Sequence, residues 1–210
     1  MRTIFIFTLF LTNTLLLSAQ NFCGVISLTI SKDSKTAPAS MYVCDGNLLI
    51  RYNLEANGQA NSVDYLVLNS GKKYLKYNIM GNEQGVELSD NDIKSSVQVE
   101  KVMRTGEKAQ ILGYECELVK ILGKDGNITE VWITESSPVD YSSIAPYLKD
   151  DATAQSIHKL GLKGMPLKSV VKDKNGFELS SFQVTEINPN GVEKTLFVAP
   201  KLVVQPNQAR

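Results

Sequence analysis

Apolar and polar residues alternate as soon as the chain passes Cys23. Ile26, Leu28 and Ile30 are separated by Ser27 and Thr29 and followed by Ser31. That period of two puts one face of a strand on a core and leaves the other to water. Runs rich in β-branched and aromatic residues recur at 40–44, 48–54, 63–68, 74–79, 97–103, 109–112, 114–122, 128–134, 168–171 and 177–185, and each is read as a strand. Turn clusters separate them: Asp45-Gly46-Asn47, Asn69-Ser70-Gly71, Thr105-Gly106-Glu107, Lys124-Asp125-Gly126-Asn127 and Lys172-Asp173-Lys174-Asn175-Gly176. Gly, Asn and Asp tolerate the positive φ that hairpin turns need. Consecutive strands joined by hairpins predict a mostly antiparallel meander of about ten strands.

The rhythm breaks once. Over 141–160 the spacing becomes helical, with Asp140 or Ser142 as cap of a first short helix carrying Ile144, Ala145 and Leu148. Pro146 fits only a first helical turn, so this piece is short. A second helix over 151–160 places Ala154, Ile157 and Leu160 on one side and ends at Gly161. The polar stretch 82–96 is read as a loop or a single turn. With no internal repeat and no Pro-, Gly- or Ser-rich linker, residues 21–210 are read as a single, mainly β domain with short helices.

The first twenty residues differ in kind. Arg2 is their only charge, an apolar stretch runs from Ile4 to Leu17 around Thr12-Asn13-Thr14, and Ser18-Ala19-Gln20 follows. A positive start, a short apolar run and small residues at a junction describe a signal peptide, residues 1–20, cleaved near Ala19 or Gln20. The run is too short and interrupted for a membrane span of about 20 apolar residues. Large Phe22 before Cys23 does not suit a lipoprotein signal.

Composition narrows the chemistry. The 210 residues carry 22 Lys+Arg and 22 Asp+Glu, which gives no basic surplus for nucleic acid. Loss of Arg2 leaves the exported chain one unit negative. A single histidine, His158, excludes designs that need two. It sits in the predicted second helix as a solvent-facing residue; neither a Gly-x-Ser-x-Gly elbow nor a cysteine–histidine arrangement forms around it. Asp90/Asp92 and Asp150/Asp151 are paired acids in polar segments, read as caps or solvated charges. The segment from Asp173 to Glu178 has a passing likeness to a calcium loop but lacks ligands and fits a hairpin turn better. Asn127-Ile128-Thr129 matches a glycosylation sequon. Cys23, Cys44 and Cys116 allow one disulfide and one thiol, in any pairing, and their spacing suits no zinc site. Tyr42, Tyr52, Tyr65, Tyr74, Tyr77 and Tyr114, with Trp132 and Phe182, fall in predicted strands. They pack a half-buried sheet or line an apolar cavity within a curved one.

A family resemblance rests on an ordered series of segments. These are Gly113-Tyr114-Glu115-Cys116-Glu117, then Thr129-Glu130-Val131-Trp132-Ile133-Thr134, then a helical stretch and Gly164-Met165-Pro166-Leu167-Lys168. The Lys-Asp-Lys-Asn-Gly turn, Val184-Thr185-Glu186-Ile187 and Leu196-Phe197-Val198-Ala199-Pro200 complete it. The order resembles the exported bacterial family of domain of unknown function 4412, common in Bacteroidetes-type bacteria and similar to the LolA-like superfamily of periplasmic lipoprotein carriers. The resemblance spans Gly24 to Leu202. It implies an unclosed antiparallel β-barrel, a curved meander sheet wrapping a helical plug around a hydrophobic cavity, without catalysis. It also implies a second cysteine on the strand after the Cys116 segment. Trp132 occupies that neighbourhood, so Cys44 or Cys23 serves instead or Cys116 stays free.

The expected function is an exported, non-catalytic binding protein, periplasmic or secreted, that shelters a lipid or lipidated peptide in an apolar cavity. The alternatives are an envelope protein-interaction or sensory module without a lipid ligand, and an uncharacterised hydrolase. No catalytic, cofactor or metal residue is nominated, no cofactor is expected, and ligand-binding residues are unassigned. Expected partners are a lipid, a lipoprotein or an envelope protein, with no nucleic acid and no transmembrane segment in the mature chain.

Overall fold

The computed structural model describes residues 22–56, 59–89, 99–139, 141, 157 and 162–203. Eleven strands make one sheet: β1 (Gly24–Lys32), β2 (Lys35–Cys44), β3 (Asn47–Ala56), β4 (Gln59–Val67), β5 (Lys73–Ile79), β6 (Asn82–Leu88), β7 (Val99–Ile111), β8 (Tyr114–Gly123), β9 (Ile128–Thr134), β10 (Met165–Lys172) and β11 (Glu178–Asn188). Their order is β6-β5-β4-β3-β2-β1-β11-β10-β9-β8-β7, and the pairings are antiparallel. Two meanders are therefore joined where the first strand meets the last. The sheet stays open between β6 and β7, the unclosed antiparallel architecture that the resemblance implies.

Strand alternation sorts the side chains onto two faces. Across the first wing the inner row reads Ile26, Met41, Ile50 and Tyr65 at directly opposed positions. Across the second it reads Ile30, Phe182, Ser169, Val131 and Val119. Both wings contribute to a single core in which Ile26, Val131 and Leu167 are fully buried. Three residues of the segment between β9 and β10, Val139, Tyr141 and Ile157, are buried in the same core. Leu162 donates its N–H to the Ile157 carbonyl at 3.0 Å.

A smaller core lies on the outer face of the first wing. Leu49, Leu66 and Tyr74 are buried there, with Tyr42, Leu68 and Phe197 packed against them. Its cover is the segment after β11. Lys194 pairs with Asp45 at 2.6 Å, and a 3-10 turn over Lys194–Phe197 follows. Leu202 then bridges Gly85 of β6 in parallel, with Gly85 N–H to Lys201 C=O at 3.1 Å and Val203 N–H to Gly85 C=O at 3.0 Å. This strap covers part of the β6 edge. Gly85 is required there because a Cβ would meet the Pro200 ring.

Several sequence expectations need correction. The stretch 82–88 is strand β6, not a loop: it is polar because most of it is exposed, so apolar alternation gave no signal. The runs 97–103 and 109–112 are not two strands, since β7 passes through Thr105-Gly106-Glu107 as a bulge. Strand β2 begins at Lys35, earlier than expected. Cys23 and Cys44 form the disulfide and Cys116 is free and buried. The export segment, the 141–160 helices except Tyr141 and Ile157, and the helical plug they would make lie outside the described residues. No helix among the described residues is long and apolar enough to cross a membrane.

Candidate functional site

The inner face changes character at its open end. The apolar row through Val131 and Val119 ends on Arg104 of β7, and the row through Ile133 continues into Glu117 and Lys108. The bulge makes this possible. Arg104 opposes Val119 and Lys108 opposes Glu117, so residues four apart on β7 occupy neighbouring same-face positions of β8. The Thr105 hydroxyl fixes the bulge by donating to the Leu118 carbonyl at 2.9 Å and accepting the Glu107 N–H at 3.1 Å. Bulges at sheet edges commonly re-aim side chains in this way.

The result is a cleft of about 350 Å³ floored by Cys116, Val119 and Ile133 and rimmed by charge. Arg104 Nη1 donates to Glu117 at 2.8 Å and its Nη2 lies 3.7 Å from Glu135. Lys108 meets Glu115 at 2.6 Å, and that hydrogen bond raises the lysine above its ordinary range. Glu135, Ser136 and Lys163 reach the rim from the two ends of the segment between β9 and β10. Gly164 seats the returning chain with φ +111°, where a Cβ would stand 2.5 Å from the Thr134 carbonyl oxygen. The Cys116 thiol lies beneath the rim, 0% exposed, and burial pushes its pKa up, the opposite of an activated nucleophile.

The residues singled out from the sequence do not converge here. His158, Asp90, Asp92, Asp150 and Asp151 lie outside the described residues. Asp173 is committed to its turn: its Oδ1 accepts the N–H groups of Asn175 at 2.8 Å and Phe177 at 2.9 Å. These bonds, with that from Phe177 first, lower its pKa. Asn127 of the sequon donates its side-chain amide to Asp125 at 2.7 Å. The aromatics divide between the two clusters: Tyr42 and Tyr74 belong to the smaller one, whereas Tyr65, Tyr114, Trp132 and Phe182 pack against the larger one, Trp132 from the position opposed to Leu118 and Lys168. Tyr52 is exposed. Among the described residues no group of three His, Cys, Asp or Glu side chains is placed to hold a metal ion. Sequence reasoning missed Arg104, Glu117, Glu135 and Lys163. The signal available was Thr105-Gly106-Glu107, which reads equally as a hairpin turn or a bulge.

A family model described as "Domain of unknown function (DUF4412)" matches residues 22–202. No curated protein matches the sequence. Among solved structures, an uncharacterized conserved protein from Thermus thermophilus is similar with a TM-score of 0.51 at 9% identity, covering 88% of this chain and 91% of that one. PNGF-II gives 0.48 at 18% identity over 85% of this chain and 30% of its own. The complex of Pseudomonas aeruginosa MucA/MucB gives 0.47 at 12% identity over 84% of this chain and 55% of that one. The chain thus spans about half, or less, of the length of the latter two. With the family model running from Phe22 to Leu202, through the ordered segments that carry the resemblance, the chain belongs to the DUF4412 family.

Proposed function

We propose that the protein is an exported, non-catalytic binding protein that shelters the acyl chain of a lipid or lipidated peptide against the inner face of its sheet. On this account residues 1–20 direct export and are cleaved near Ala19 or Gln20, and 21–210 act as one domain. The carrying observation is the cover of the inner face. Tyr141 and Ile157 are 3% and 1% exposed, although they come from a segment inserted between β9 and β10. Cover supplied by an insertion is exchangeable in a way that cover supplied by the sheet itself is not. On this account an acyl chain replaces the apolar contacts of Val139, Tyr141 and Ile157, each buried methylene contributing about 0.8 kcal/mol.

The test uses Trp132, the only tryptophan in the chain, which packs against the larger core cluster next to Val131 and Ile133. Titration of the mature protein with a medium-chain fatty acid below its critical micelle concentration should give a saturable change in its emission. A flat or linear response would overturn the proposal. A second reading, an envelope protein as partner, is favoured by the outer edge of β7, the last strand in the sheet order. An added strand there would use main-chain hydrogen bonds.

A further inference from the structure

We infer that the cleft beside the β7 bulge is a binding site for a phosphate–ammonium zwitterion, the head of an amphiphile whose chain lies on the inner core. The inference rests on the chain-sheltering reading for the second half of that statement and on the cleft alone for the first.

The cleft and the inner core are continuous. Cys116, Val119 and Ile133 line the cleft and are also members of the inner core. A ligand that touches this floor with apolar atoms meets fixed charge within one rung of the sheet, because Arg104 directly opposes Val119 and Glu117 directly opposes Ile133. That is the profile of an amphiphile at its polar junction. The size agrees, since about 350 Å³ lies at the small end of ligand pockets and suits a head group.

Charge selects the class. Three cations, Arg104, Lys108 and Lys163, and three carboxylates, Glu115, Glu117 and Glu135, line the site, so its formal sum is zero. An anion or a cation bound alone faces charge of its own sign on the same rim, which electrostatic complementarity disfavours. A zwitterion exchanges partners instead: its phosphate takes Arg104 and Lys163 while its ammonium takes Glu135. Arg104 is suited to the phosphate because its planar fork is already turned into the rim, shared between Glu117 and Glu135. Lys163 makes no ion pair among the described residues and is available to the same phosphate.

The two ends of the inserted segment meet at this site through Glu135 and Lys163.

The experiment is calorimetry on the mature protein with four probes. These are dihexanoyl-phosphatidylethanolamine, the equally short anionic phosphatidylglycerol, uncharged dihexanoylglycerol and chainless glycerophosphoethanolamine. The zwitterionic lipid should bind at least tenfold more tightly than the anionic and uncharged lipids, and R104Q/K163Q should remove that margin while retaining the uncharged lipid's affinity. E135Q, which leaves both cations, should remove part of it. Equal affinities for the three lipids, or a margin that survives R104Q/K163Q, would overturn the head site and leave chain binding standing. Chainless zwitterion binding as tightly as the lipid would keep the head site and overturn the chain-sheltering reading. Binding of none of the four would overturn both.

Discussion

Arg51 holds Asp64 across the β3–β4 pair with two parallel hydrogen bonds, Nε to Oδ1 at 2.9 Å and Nη2 to Oδ2 at 2.7 Å. The two residues face each other directly in the sheet register. The carboxylate is 5% exposed, and the guanidinium stacks 5.7 Å from the centre of the Tyr42 ring. The hydrogen bond that Arg51 donates to Asp64 is the main reason that the guanidinium is held above even its ordinary pKa. Removing one partner of such a pair strands the other. Asp64→Ala should therefore destabilise the fold by about 3 kcal/mol, read by urea denaturation, whereas Arg51→Met/Asp64→Leu should recover most of that loss.

The strap after β11 tests the outer core. Phe197 is half-buried on Leu49, Leu66 and Tyr74, so Phe197→Ala should cost about 2 kcal/mol. Hydrogen exchange at the Val203 amide, which binds the Gly85 carbonyl, should accelerate in the same variant. Lys194→Ala removes an ion pair whose partners are 76% and 55% exposed and should change stability by no more than about 0.5 kcal/mol. An equal loss in both variants would place the strap's stability in the ion pair instead of the aromatic anchor.

Two glycines separate lack of space from backbone conformation. Gly164 has φ +111° with backbone and Ile133 atoms in the path of a Cβ, whereas Gly176 has φ +87° and nothing within 4 Å. Gly176→Ala should cost about 1 kcal/mol for its left-handed backbone alone. Gly164→Ala adds a clash with the end of β9, with a total of about 3 kcal/mol or more expected. Thermal unfolding of the two variants side by side makes the comparison.

Acid titration isolates Glu130. Lys172, which donates to it at 2.6 Å, holds its carboxyl below the ordinary value of 4.5, with Lys120 assisting. A folded-state pKa below the unfolded one gives stability that is present above about pH 4.5 and lost as pH falls through the folded pKa. Glu130→Gln should therefore be less stable than the native protein at neutral pH, by at most about 1 kcal/mol for these partly exposed groups. The difference should vanish below that pH. A difference unchanged down to pH 2 would show that packing, and not charge, accounts for it.

The cysteines give a count. Cys116 is buried and free, and Cys23 is joined to Cys44. The native protein should react negligibly with a thiol reagent, the unfolded protein with one equivalent, and the reduced unfolded protein with three. Closure of a loop of this length contributes about 3 kcal/mol, and Cys23→Ser/Cys44→Ser should lose it.

What the sequence disclosed follows from which signals are local. The alternation of Ile26, Leu28 and Ile30 is a local consequence of one buried face, and β1 was legible from it. Strands β8 and β9 were legible instead as runs rich in β-branched and aromatic residues, such as Val131-Trp132-Ile133, bounded by turn clusters. Strand β6 was not, because its residues from Asn82 to Gln84 are exposed and its main-chain partners come from β5 and from Lys201–Val203. The bulge of β7 depends on the register with β8, which no local pattern records. The candidate cleft was invisible for that reason: Arg104, Glu117, Glu135 and Lys163 are scattered charges until β7, β8 and the two ends of the insertion meet. The Cys23–Cys44 pairing likewise waits on the β1–β2 register, which sets Gly24 against Val43.

The most direct test of the central claim is native mass spectrometry of the mature protein purified from a bacterial envelope without detergent. Chain sheltering predicts a second mass series heavier by one lipid or acylated peptide, released on gentle activation and replaced when a short-chain lipid is added. A single series at the mass of the bare polypeptide, unchanged by added lipid, would contradict it.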